Sequence, residues 1–176
     1  MKTLVTLPKL KELLDAFEKQ NITHMVIAGF GLDGHRGYQT RPHQDVDIIC
    51  LKKDSKKIVK LTKELGYKGE WFGNLFKIKR KDGGKADLAM AVREKNKLVT
   101  RGRIAKTSFP ISLFKPQKGK IKGFEFKIAP NELLKTFALH AQKGKDKEYA
   151  DKLIVDEKIM KKIKRVLKTQ IQTTQR

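Results

Sequence analysis

Two aspartates stand two residues apart in the run DVDIICL, as Asp45 and Asp47. In an extended strand residues i and i+2 share a face, so this spacing places the two carboxylates side by side. A third, Asp87, lies in KADLAMA, a second strand-like run in which small residues surround it. Carboxylate oxygens are hard donors suited to magnesium or manganese, and magnesium takes few carboxylates and completes its shell with substrate phosphate. If the strand of Asp87 pairs beside that of Asp45 and Asp47, three carboxylates converge and repel one another unless a cation intervenes. The plainer reading of the same spacing is two carboxylates facing solvent on an edge strand, with Asp87 unrelated to them.

Several elements have to position these residues. Leu7, Leu10, Leu13, Leu14 and Phe17 recur at three- and four-residue steps after Pro8, which predicts an amphipathic helix ending near Asn21. His24 to Ala28 reads as a short apolar strand broken by Gly29 and Gly31. The turn-rich stretch GLDGHRGYQTRPHQ that follows is long for a spacer, which marks it for function. Lys56 to Leu65 carries helical spacing with Gly66 as its stop. Leu75 to Arg80 and Lys85 to Ala91 form a hairpin around Lys81-Asp82-Gly83-Gly84. Val92 to Lys122 is basic and punctuated by Pro110, Pro116 and glycines, with only Ile111 to Phe114 reading as ordered. Phe124 to Ile128 alternates as a last strand. Pro130 then opens a helix with Leu133, Leu134, Phe137, Ala138 and Ala141 on its apolar side, and another follows from about Asp146. Glu157 to Leu167 places Ile159, Met160, Ile163, Val166 and Leu167 on one helical stripe, and IQTTQR frays beyond it.

Bulk properties bound the function. A length of 176 residues suits one domain, and aliphatic clusters recur along the chain despite a charged fraction of 34%, which argues for a folded protein. No apolar run is long enough to span a bilayer, and the N-terminus turns charged too early for a secretory signal, so the expectation is a cytoplasmic protein with no membrane partner. Cys50 is the single cysteine, which excludes an internal disulfide and predicts a buried, inert thiol. Lys and Arg number 41 against 19 Asp and Glu, a formal charge of +22. Such a field draws polyanions such as nucleotides, RNA or DNA, and equally fits a lysine-rich solvated surface.

The text AGFGLDGHRGYQTRPHQDVDI resembles the nucleotidyltransferases of the DNA polymerase β superfamily, and within it the lincosamide, aminoglycoside and minimal nucleotidyltransferases. Those proteins carry a strand-to-helix turn rich in small residues, then threonine, arginine and histidine before an Asp-x-Asp strand. The turn corresponds to Gly29, Phe30, Gly31, Leu32 and Asp33, with Ala28 where the family has its first glycine and Phe30 where it often has serine. The resemblance implies that Asp45, Asp47 and Asp87 are the metal-binding and catalytic carboxylates. It implies that backbone amides of Gly29, Phe30 and Gly31 at a helix start, with Arg41 and His43, meet the nucleotide phosphates. Farther on, Lys147, Glu148 and Asp151 fit a Lys-acid-x-x-Asp pattern, which adds Lys147 to the nucleotide-binding set.

The expected fold is therefore α+β, a nucleotidyltransferase fold with a mixed sheet of about five strands flanked by helices. One domain over 1–176 would include a helical C-terminal part at about 130–170. The expected activity is transfer of an NMP from an NTP to a hydroxyl acceptor with release of pyrophosphate, using Mg2+ or Mn2+. RNA, tRNA included, another anionic acceptor, a protein side chain and a small molecule all remain open as acceptors. The rival from another class is a noncatalytic nucleic-acid-binding module that keeps the fold. His24, His35 and His140 read as structural or surface residues, Trp71, Phe72 and Phe76 as core aromatics, and Lys161, Lys162, Lys164 and Arg165 as a solvated basic helix face.

Overall fold

The structure, a computed structural model, describes residues 4–101, 105–138 and 144–167. Helix α1 (Leu7–Lys19) buries Leu10, Leu13, Leu14 and Phe17 and holds a proline in its first turn, where a missing N–H costs nothing. Strand β1 (His24–Ile27) is buried throughout and runs directly into α2 (Ala28–Arg36). Strand β2 (Val46–Leu51), helix α3 (Ser55–Glu64), the hairpin β3 (Lys68–Phe72) and β4 (Leu75–Lys79), and the long β5 (Lys85–Glu94) follow. Four more strands come next, β6 (Lys97–Arg101), β7 (Ala105–Pro110), β8 (Gln117–Ile121) and β9 (Phe124–Ile128). The described chain ends with α4 (Asn131–Ala138), α5 (Gly144–Asp151), α6 (Glu157–Met160) and β10 (Lys164–Leu167).

The class is α+β with a mixed sheet flanked by helices, as expected. The sheet has ten strands rather than about five, in the order β10-β7-β6-β5-β2-β1-β9-β8, with β4 joining β3 to β5. β5 is shared between two surroundings. Its first part lies parallel to β2 and antiparallel to β4, and its last residues, from Val92 to Glu94, pair with β6. A single apolar core unites α1, α3, α4 and both sides of the central strands, with Phe17, Met25, Ile48, Ile49 and Leu133 wholly buried.

Three expectations are corrected. The basic segment from Val92 to Lys122 forms β6, β7 and β8. β6 buries three successive residues, Leu98 to Thr100, and β7 alternates, with Ala105, Thr107 and Phe109 buried between less buried neighbours, so strand burial is present beneath a basic composition. The end of the chain is not one helix, because only Glu157–Met160 coils, capped by the Asp156 side chain, and Lys164–Leu167 then pairs antiparallel with β7. That pairing covers the backbone edge of β7, a gain that local periodicity does not register. The turn-rich stretch after β1 begins as α2 and becomes irregular only beyond Arg36.

Trp71 and Phe72 are 39% and 46% exposed on β3 and so lie outside the core, whereas Phe76 is buried and stacks on Trp71. Cys50 is wholly buried, and burial, with Asp54 nearby, pushes its thiol far up, which keeps it inert as expected. His24 is structural, its Nδ1 donating to the Ile22 carbonyl, and His35 meets the Tyr149 hydroxyl. His140, Ala141 and the IQTTQR tail lie outside the described residues. No described helix is long and apolar enough to cross a membrane.

Candidate active site

The pairing on which the carboxylate cluster depends is present. β2 and β5 run parallel with Asp47 directly opposite Asp87, and β1 runs antiparallel to β2 with Ile27 opposite Asp47. One row across three strands thus leads from the mouth of α2 through Asp47 to Asp87. Lys77 faces Asp87 from β4 and its ammonium lies 3.0 Å from Oδ2, while the Lys85 ammonium lies 3.5 Å from an Asp45 oxygen. Among the described residues the Asp47 side chain makes no hydrogen bond or ion pair. Burial, then the charges of Asp45 and Asp87, push its carboxyl up to about 7, against the weaker opposing pull of Lys77 and Lys85.

Among the described residues no three His, Cys, Asp or Glu side chains close around one point as a finished metal cage. The donor set nevertheless fits a hard divalent ion. Three carboxylates share one surface, the Asp87 Oδ1 is buried without a partner, and burial together with the two neighbouring carboxylates raises the Asp47 carboxyl. Two lysines balance part of that charge, and substrate phosphate is the usual remainder of a magnesium shell.

The turn from β1 to α2 is tightly built. Ala28 adopts a left-handed backbone with φ +53°, which costs a residue with a Cβ about 1–2 kcal/mol. Gly29 is required by proximity, since a Cβ there would lie 2.5 Å from His43 Cε1 and 3.1 Å from Arg41 Nη2. A Cβ on Gly31 would meet the Val26 carbonyl oxygen at 3.0 Å and Leu134 at 2.8 Å. Phe30 turns its side chain into the core against the His43 ring, so only its backbone N–H is free to face an anion.

Behind this turn lies a polar network that the sequence reading missed. Asp33, wholly buried on α2, accepts hydrogen bonds from the Thr40 hydroxyl at 2.7 Å and from His43 Nε2 at 2.6 Å. Burial alone would raise the Asp33 carboxyl, but those hydrogen bonds outweigh it and hold it below the ordinary value. An ionised Asp33 accepts only, so His43 Nε2 donates and Nδ1 is left facing Gly29. Asp146 of α5 binds Arg41 at 2.8 Å and Arg36 at 3.4 Å, which fixes Arg41 beside the start of α2. Asp33 stood in the turn motif but without a partner assigned to it, and no local pattern announced Asp146, whose partners Arg36 and Arg41 are 110 and 105 residues away.

Two cavities meet at the carboxylates. The smaller, about 120 Å³, runs over Gly29, Arg41, His43, Asp45 and Asp47. The larger, about 450 Å³, spreads from Asp45, Asp47 and Asp87 to Thr100, Thr107 and Arg165 on the far strands. The structure therefore gathers Asp45, Asp47, Asp87, Gly29, Arg41 and His43. Lys147 is exposed on α5 and lines neither cavity. Arg165, read from sequence as part of a solvated helix face, instead belongs to β10 and enters the larger cavity.

The family model described as Aminoglycoside-2''-adenylyltransferase matches residues 9–151. A lincosamide resistance protein from Staphylococcus haemolyticus is 31% identical over 86 residues, 48% of this chain and 53% of that protein, so the match spans about half that relative's length. The lincosamide antibiotic adenylyltransferase LnuA, solved with lincomycin bound, has a TM-score of 0.68 at 20% identity, covering 86% of this chain and 99% of that one. The solution structure of the antibiotic-resistance factor ANT(2'')-Ia has a TM-score of 0.60 at 17% identity, covering 82% and 80%. The crystal structure of ANT(2'')-Ia with adenylyl-2''-tobramycin has a TM-score of 0.60 at 16% identity, covering 88% and 93%. At these identities the solved structures establish a common fold, and the family model covers most of the sequence from α1 to α5. The chain belongs to the aminoglycoside-2''-adenylyltransferase family of the nucleotidyltransferase superfamily.

Proposed function

We propose that this protein is a nucleotidyltransferase that moves AMP from ATP to a hydroxyl on a small acceptor, releasing pyrophosphate. The observation that carries the reading is the register that sets Asp47 between Ile27, at the mouth of α2, and Asp87. Asp45, Asp47 and Asp87 would hold magnesium or manganese, which when bound supplies positive charge against the phosphates. The amides of Gly29, Phe30 and Gly31 and the Arg41 guanidinium bind the leaving phosphates. Asp33 orients His43 toward the same place. The acceptor hydroxyl forms the new bond at the α-phosphorus as the bond to pyrophosphate breaks, and the buried Asp87 Oδ1 takes the hydroxyl proton.

A cavity of about 450 Å³ is the size that holds a small molecule, and relatives named for lincosamides and aminoglycosides favour that class over RNA or a protein side chain. The test is incubation of the purified protein with ATP and magnesium, together with a panel of small hydroxyl compounds of different charge that includes lincomycin and tobramycin, following pyrophosphate release and the mass gain of AMP on the acceptor. Release should require magnesium and vanish in Asp47→Asn. Absence of magnesium-dependent ATP binding would sink the reading and leave the noncatalytic nucleic-acid module standing.

A further inference from the structure

Arg165 sits where the larger cavity ends. Its Nη1 donates to the Thr107 hydroxyl at 2.8 Å, and its guanidinium lies over the Phe137 ring with 4.9 Å to the centroid. Its Nε is buried with no partner. Among the described residues it forms no ion pair with a carboxylate, unlike Lys77 and Lys85, which each rest on one. Burial works against its charge. A guanidinium has five donors in a planar fork matched to two oxygens, so a partly buried one with a single hydroxyl acceptor is a receptor lacking its anion.

The side of the site on which Arg165 lies identifies what would meet it. In phosphoryl transfer the attacking and leaving oxygens are in line on opposite sides of phosphorus. With the leaving phosphates at the start of α2, in the smaller cavity, the acceptor enters from the Asp87 side, in the cavity that Thr100, Thr107 and Arg165 close. We propose that the acceptor is a small hydroxyl compound bearing an oxyanion, a carboxylate, sulfate or phosphate, that Arg165 and Thr107 grip while its hydroxyl faces Asp87. This deepens, and rests on, the nucleotidyl-transfer reading. It also separates this chain from one built for a polycationic amino sugar, because Arg165 lines the far end of the cavity with no carboxylate of its own, whereas Lys77 and Lys85 rest on Asp87 and Asp45.

The test uses the full chain loaded with magnesium and a nonhydrolysable ATP analogue, which fills the nucleotide half. Sodium sulfate is compared with sodium chloride at equal ionic strength, reading the shift in melting temperature. Sulfate should stabilise the wild type, and Arg165→Gln should weaken its apparent affinity about 10-fold. Arg165→Lys keeps the charge and the strand but loses the fork, so it should fall between, and it guards against a misfolded Gln variant. In parallel, kcat/KM for galacturonate should exceed that for galactosamine, and the preference should disappear in Arg165→Gln. An unchanged sulfate shift in both variants overturns the inference, as does a preference for galactosamine. Failure of the magnesium–analogue complex to bind overturns the nucleotidyl reading itself, whereas binding of that complex without Arg165-dependent sulfate stabilisation overturns this inference alone.

Discussion

Asp47 is where charge and stability are linked. Its carboxyl is raised from 3.8 to about 7, so the folded state holds that proton more tightly than the unfolded chain. The associated stability is complete below pH 3.8 and is lost as pH rises through about 7. Metal-free protein should lose on the order of 2–4 kcal/mol across this window. Saturating magnesium or Asp47→Asn should flatten the slope, as followed by melting temperature against pH. A rise in metal-free stability toward pH 8 would contradict the burial of Asp47. Gly29 governs the opposite side of the site through space alone. Gly29→Ala should push His43 and Arg41 aside and weaken ATP binding about 10-fold or more, with a stability loss of about 1–3 kcal/mol. Calorimetric titration with ATP and magnesium checks the first effect, and chemical denaturation the second.

The turn from β1 to α2 stores strain where the nucleotide is expected, since Ala28 holds a left-handed backbone that glycine adopts freely. Ala28→Gly should therefore leave stability unchanged or raise it by up to about 1 kcal/mol, while Ala16→Gly inside α1 should cost about 1 kcal/mol. Urea denaturation of the two variants compares them directly. The elements most legible in the sequence were those with a clear period and a local stop. The leucine steps of α1, the Gly66 stop behind α3, the alternation of β9 and the DVDIICL strand all fall where expected. The carboxylate triad was legible for the same reason, given a pairing that alternation allowed. β6, β7, β8 and β10 were not, because polar residues, lysine among them, stand at outward positions while threonine, glycine or arginine takes some of the inward ones. Arg165 escaped with them, since residues 159 to 167 satisfy a helical stripe that only the partner strand β7 overrules.

At the scale of the molecule, a formal charge of +22 attracts polyanions whether or not they are substrates. Nonspecific RNA binding should fall at least 10-fold between about 50 and about 200 mM salt, as such binding does when several phosphates are neutralised. Transfer to a small acceptor, which meets one guanidinium rather than many lysines, should change far less over the same range. A gel shift beside a pyrophosphate assay separates the two, and RNA binding that persists at the higher salt would favour a dedicated nucleic-acid surface.

The division of β5 has a consequence for how such a protein can change over time. Its first part carries Asp87 and is pinned on both sides, by β2 and by β4, so altering it disturbs the row of carboxylates. Its last part hands over to β6, and through β7 to β10, the strands that close the larger cavity, proposed above to take the acceptor. Substitutions in that outer group can reshape what is recognised while the register of Asp47 with Asp87 stays in place. Divergence in acceptor choice can therefore proceed without re-inventing the chemistry, and the outer strands are where laboratory selection for a new acceptor should accumulate its changes.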